Sequence, residues 1–127
     1  MLCAPRPAQV AGIAAIRQGL EDGWQDTTRM MQEYDRRRRY FVNALNDLGL
    51  ICHDPEGAFY AFPSIQSTGL TSEEFCDRLL EEENVAVIPG SAFGSEGEGF
   101  VRCCYASSMD HLEKAVDRIG KMLRRLK

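Results

Sequence analysis

The sequence predicts an α+β domain, a small, mostly antiparallel sheet covered by helices. Short segments rich in β-branched and aromatic residues, bounded by turn formers, stand in neighbouring pairs along the chain. Longer segments with apolar residues every three or four positions precede, separate and follow them, which is the arrangement of a helix-covered sheet. Size agrees: 127 residues, 44% hydrophobic and 27% charged, suffice for one ordinary globular core.

Cys3-Ala4-Pro5-Arg6-Pro7 is an extended lead, and Ala8 to Leu20 is predicted helical, with Val10, Ile13, Ala14, Ile16 and Leu20 near one side. Pro7 suits the first turn, and the small residues Ala8, Ala11, Gly12, Ala14 and Ala15 would let another backbone come close. Asp26 to Leu48 is the longest periodic segment, an amphipathic helix in which Met30, Tyr34, Arg37/Arg38, Phe41, Leu45 and Leu48 recur at steps of three and four, ending at Gly49. Its arginine run, Arg36 to Arg39, reads as a solvated helix face or as a contact to another domain or subunit. Leu50–His53 and Ala58–Phe62 read as the strands of a hairpin turned by Asp54-Pro55-Glu56-Gly57.

Thr71-Ser72-Glu73-Glu74 matches a capping box that opens a helix through Glu83. Phe75, Leu79 and Leu80 form its core face, and Glu81 to Glu83 its exposed end. Val85–Ile88 and Phe100–Ala106 are two further strands. Ser107 to Asp110 opens the last helix, whose apolar stripe is Leu112, Ala115, Val116, Ile119, Leu123 and Leu126. Lys121, Arg124, Arg125 and Lys127 suit its C-terminal end. The organisation is a lead segment and helix over 1–23 and the domain proper over 24–127.

Composition narrows function. A net charge of −4 and a pI near 5.2 disfavour nucleic-acid binding. No apolar stretch approaches the ~18 residues of a membrane span. Arg6, Pro7, Gln9 and Arg17 break any signal-peptide pattern, which points to the cytoplasm. The five cysteines contain no C-x-x-C pair, and adjacent Cys103 and Cys104 leave opposite faces of a strand, so they read as reduced, packed thiols. His53 and His111 have no metal-ligand spacing, so no metal is expected. A nucleophile elbow, a phosphate loop and a dinucleotide fingerprint are all missing. The glycine-rich run from Gly90 to Gly99 reads as a flexible surface loop or a mobile flap beside a ligand. Lys114, Lys121 and Lys127 all fall on the final helix, where none looks like the desolvated amine of a Schiff-base lysine.

Arg102 stands out. It interrupts an apolar strand in which Phe100, Arg102 and Cys104 share one face and Val101, Cys103 and Tyr105 the other. A guanidinium placed there needs an anion, and its planar fork fits a carboxylate through two parallel hydrogen bonds. An internal Asp or Glu would serve, and so would a ligand. Tyr60 reads as a core aromatic whose hydroxyl needs a partner if buried.

Three ordered blocks carry a family resemblance. Pro55-Glu56-Gly57-Ala58-Phe59-Tyr60-Ala61-Phe62, Ser72 through Glu83 with Val85-Ala86-Val87-Ile88-Pro89-Gly90-Ser91-Ala92-Phe93-Gly94, and Gly99-Phe100-Val101-Arg102 with Ala106 resemble the C-terminal small domain of class I/II aminotransferases. These are pyridoxal-phosphate enzymes of the aspartate aminotransferase fold, which transfer an amino group between an amino acid and a 2-oxo acid. The resemblance implies that Arg102 grips the substrate α-carboxylate, that the Pro89–Gly99 loop lines the site, and that Tyr60 and Phe93 flank it. It also implies that the cofactor lysine and the phosphate-cradling residues belong to a large domain N-terminal to this sequence. This chain would then be a domain fragment with no catalytic or cofactor-binding residue of its own, inactive alone, from a homodimeric parent. A free-standing module binding a small amino acid is the alternative, and an interaction domain with Arg102 paired internally is a third.

Overall fold

The computed structural model describes residues 3–126; the reading of Lys127 lies outside them. Four helices, α1 (Arg6–Asp22), α2 (Gln25–Asp47), α3 (Ser72–Glu83) and α4 (Met109–Leu126), accompany three strands, β1 (Tyr60–Ala61), β2 (Ile88–Pro89) and β3 (Val101–Cys104). The chain divides into two compact units, Met1–Glu33 and Tyr34–Lys127.

In the first unit, Pro5 caps α1, and Gly23 and Trp24 both take left-handed backbone to turn the chain into α2. The Asp22 carboxylate accepts from the Trp24 amide at 2.9 Å and holds that turn. The apolar stripe of α1 is exposed: Val10, Ile13, Ile16 and Leu20 all face solvent.

In the second unit, the sheet runs β1-β3-β2, with both outer strands antiparallel to β3. The named strands are short, but one register continues past them. Tyr60 faces Cys104 and Ser64 faces Phe100, while the Tyr105 amide donates to Phe59 and the Ile65 amide to Gly99. The hairpin expected between Leu50–His53 and Ala58–Phe62 does not form. The Asn46 side chain accepts from the Cys52 amide at 3.0 Å and donates to the Cys52 carbonyl at 3.2 Å, so those two groups are engaged, and the Ile51 carbonyl accepts from the Ser64 amide at 2.8 Å, beyond the expected strand. Residues 59–65 pair with β3 instead.

Side-chain alternation sorts the sheet. Ala61, Val101, Cys103 and Tyr105 point inward and are buried with Phe41, Val42 and Leu45 of α2, Phe75 and Leu79 of α3, and Leu112, Ile119 and Met122 of α4. The Tyr105 hydroxyl donates to the Ala58 carbonyl at 3.1 Å, which satisfies the one polar atom this ring carries inward. On α3 the expected core residue Leu80 is exposed, and Cys76 takes the inner place. The capping box is present: Thr71 Oγ1 accepts from the Glu74 amide and the Glu74 carboxylate from the Thr71 amide. Glu82 and Glu83 are more than a solvated helix end, because both bind Arg125 of α4, at 2.7 and 2.6 Å. Of the arginine run, Arg38 is largely buried and bridges Asp35 on its own helix to Asp54 beyond it; that bridge holds the Asp35 carboxyl below its usual range.

Phe75 is central to this packing at 1% exposure, so Phe75→Ala is expected to lose about 3–5 kcal/mol in urea unfolding. Leu80→Ala, at 52% exposure, should change stability by less than about 0.5 kcal/mol.

Candidate functional site

The helices cover only one face of the sheet. The other carries Tyr60, Ile88, Phe100, Arg102 and Cys104, all half-buried or exposed. Arg102 therefore sits outside the core rather than within an oily strand, because the one-sided helix layer leaves its face open. The register that places Tyr60 opposite Cys104 and Ser64 opposite Phe100 puts Phe62 opposite Arg102, with Tyr60 on the diagonal; Ile88 faces it from β2.

The Arg102 guanidinium carbon lies over the Tyr60 ring, 4.5 Å from its centroid, and over the Phe93 ring at 4.7 Å. Among the described residues, no Asp or Glu forms an ion pair with it. Aromatic faces attract the cation through their quadrupoles. They contact the flat side of the guanidinium, whereas its N–H donors lie in the plane and are suited to the two parallel bonds of a carboxylate. Phe62 extends the apolar wall, 6.1 Å from Phe93 edge-on and 5.7 Å from Phe100 in a stack. Tyr60 meets Phe59 at 4.5 Å, and Phe59 stacks on Tyr34 at 6.0 Å. The structure thus brings the three residues singled out from sequence, Tyr60, Phe93 and Arg102, into one cluster. Sequence reading missed Phe62; strand alternation with Tyr60 was the signal for it.

The Gly90–Gly99 run lies at the surface, largely exposed between Ala92 and Glu96. It forms two consecutive 3-10 turns, Gly90–Phe93 and Ser95–Gly97. A Cβ at Gly90 would collide with the carbonyl oxygens of Gly97 and Phe100, so only glycine permits this approach. The Glu98 carboxylate accepts from the Ser72 amide at 2.8 Å and the Ser72 hydroxyl at 2.7 Å. Those two donors, the amide first, hold its carboxyl below the ordinary value of 4.5.

The remaining candidates stand apart from the cluster. Lys114 and Lys121 are exposed on α4, and Lys121 pairs with Asp117 at 2.8 Å. Cys52, Cys76 and Cys103 are buried; burial pushes the Cys76 thiol up to about 11 and the Cys103 thiol higher still. His111 meets Ser107 at 3.3 Å on the surface. Among the described residues, no group of His, Cys, Asp or Glu is arranged to hold a metal, and no helix is long and apolar enough to cross a membrane.

The sequence pattern of the family described as aminotransferase class I and II matches residues 1–119. Among curated relatives, an aspartate aminotransferase of Pyrococcus abyssi is 50% identical over 119 residues, covering 94% of this chain and 30% of its own length. Aromatic-amino-acid aminotransferase 2 of Thermococcus litoralis is 46% identical over 119 residues, with the same shares of 94% and 30%. The solved structure of an aromatic aminotransferase from Pyrococcus horikoshii superposes with a TM-score of 0.80 at 48% identity, over 84% of this chain and 29% of that one. The chain spans less than a third of the length of these relatives.

Glu98 and Glu74 both anchor the start of α3, and both carboxyls are held below 4.5. Their contribution to stability is full above that value and is lost as pH falls through the lowered one. Urea midpoints should therefore drop between about pH 5 and pH 3, and Glu98→Gln should flatten that drop.

Proposed function

Because the chain belongs to the class I and II aminotransferase family, we propose that it is the small-domain portion of a longer pyridoxal-phosphate aminotransferase, with residues 24–127 as that domain and 1–23 leading into it. Its Arg102 binds the α-carboxylate of an amino acid or 2-oxo acid. The observation that carries this reading is a guanidinium on an open sheet face, over two aromatic rings, with no ion-pair partner among the described residues. The weakly hydrated guanidinium is readily desolvated, and the flanking rings thin the water that would otherwise compete for a bound carboxylate. Held by both oxygens, the substrate's Cα is fixed in direction, the positioning on which amino-group transfer depends.

Pyridoxal phosphate supplies the electron sink for that chemistry. The described lysines do not fit it, so its attachment is assigned to other parts of the longer protein, and this chain alone is inactive. The parent is read as a cytosolic homodimer. The relatives named for aspartate and for aromatic amino acids share the carboxylate end of their substrates, which is the part Arg102 addresses.

In the full-length enzyme, Arg102→Leu should lower kcat/KM on the order of 100-fold, about 3 kcal/mol, with Arg102→Lys intermediate. Steady-state rates that stay within about twofold for Arg102→Leu would overturn the assignment. Mixing the 127-residue chain with pyridoxal phosphate should produce no internal-aldimine absorption band; a band would mean that the chain carries its own cofactor site.

A further inference from the structure

Phe93 is 53% exposed, yet its ring lies over Arg102. Beyond its edge contact with Phe62 and its contact with Arg102, the ring is placed by the backbone that carries it. That backbone is closed at both ends. The Gly90 amide donates to the Phe100 carbonyl at 2.9 Å, and the Phe100 amide to the Gly97 carbonyl at 3.2 Å. Inside, the Gly94 amide donates to Ser91 at 3.1 Å and the Gly97 amide to Gly94 at 3.0 Å. The double turn is fastened to the rest of the domain by Glu98, whose two oxygens take the amide and hydroxyl of Ser72, the fully buried first residue of α3. An amide in the first turn of a helix has no partner within the helix, so Ser72 is a fixed point with a donor to spare.

We propose that Glu98 is a positioning residue for Arg102. By tying the glycine-rich double turn to α3 it holds the Phe93 ring over the guanidinium, and so keeps the in-plane donors available to an incoming carboxylate. The last step rests on the carboxylate role of Arg102 given above; the positioning itself does not.

Two readouts separate these steps. On this chain, the ring currents of Phe93 and Tyr60 should shift the Arg102 side-chain protons upfield, and NMR reads that shift directly. In the full-length enzyme, KM and kcat for the amino acid are read separately. Glu98→Ala should reduce the upfield shift and raise KM about fivefold with kcat nearly unchanged. Glu98→Gln, which keeps an acceptor for the Ser72 amide, should restore most of both. In a Phe93→Ala background, Glu98→Ala should add less than about twofold to KM, since the ring it positions is gone. An Arg102 signal that stays put in Glu98→Ala, or KM effects that multiply in the double variant, would overturn the proposal. If Glu98→Ala does not fold, Ser72→Ala removes only the hydroxyl contact; a smaller shift in the same direction is expected, and no shift counts against the proposal. Should the NMR shift follow Glu98 while KM ignores both Glu98→Ala and Arg102→Leu, the positioning stands and the carboxylate reading falls.

Discussion

Helices shield one face of the sheet and leave the other bare, and the rest of the second unit follows from that asymmetry. Because side chains on a strand alternate, a single layer of helices divides β3 into two populations. Val101, Cys103 and Tyr105 enter the core beneath α2, α3 and α4. Phe100, Arg102 and Cys104 are turned out. A slip of one residue in the β1–β3 register would bury Arg102 and expose Val101, at the cost of a desolvated charge and a lost apolar contact together. The register is thus held by the same hydrophobic burial that stabilises the domain, and the outward place of the guanidinium is a consequence of it.

Burial sets the face, but polar contacts set the details. Asn46 occupies the hydrogen-bonding groups of Cys52, in the middle of the segment Leu50–His53 that does not act as a strand. Glu98 and the Thr71–Glu74 capping box divide the free amides at the start of α3 between them. These contacts contribute less than the apolar core, yet they decide which backbone edge meets β3 and where the glycine-rich turn lies. The aromatic residues of the open face then assemble around the only cation on β3, the cluster on which the proposed carboxylate role rests.

Much of this was legible in the chain itself. Helix positions followed from three- and four-residue spacing, the start of α3 from Thr71 and Glu74, and the end of α2 from Gly49. The inward and outward sets of β3 followed from alternation alone. Arg102 was conspicuous because it breaks an apolar run, and the ordered blocks around it are specific enough to place the family. Spacing was less informative about burial. Leu80 fits a core helix face by spacing, yet it is exposed. Periodicity marks a face as apolar without saying whether anything lies against it.

Local sequence thus determined the helices, the cap of α3, the two faces of β3 and the oddity of Arg102, because helix spacing, strand alternation and capping act over a few residues and are written in the order of side chains. Tertiary structure alone decided that residues 59–65 pair with β3, that Glu98 reaches back 26 residues to Ser72, and that Tyr60 and Phe93 meet over one guanidinium. Those contacts join segments far apart in the chain, and their partners are chosen by which donors and faces remain free once the core has closed, a condition no short window of sequence contains.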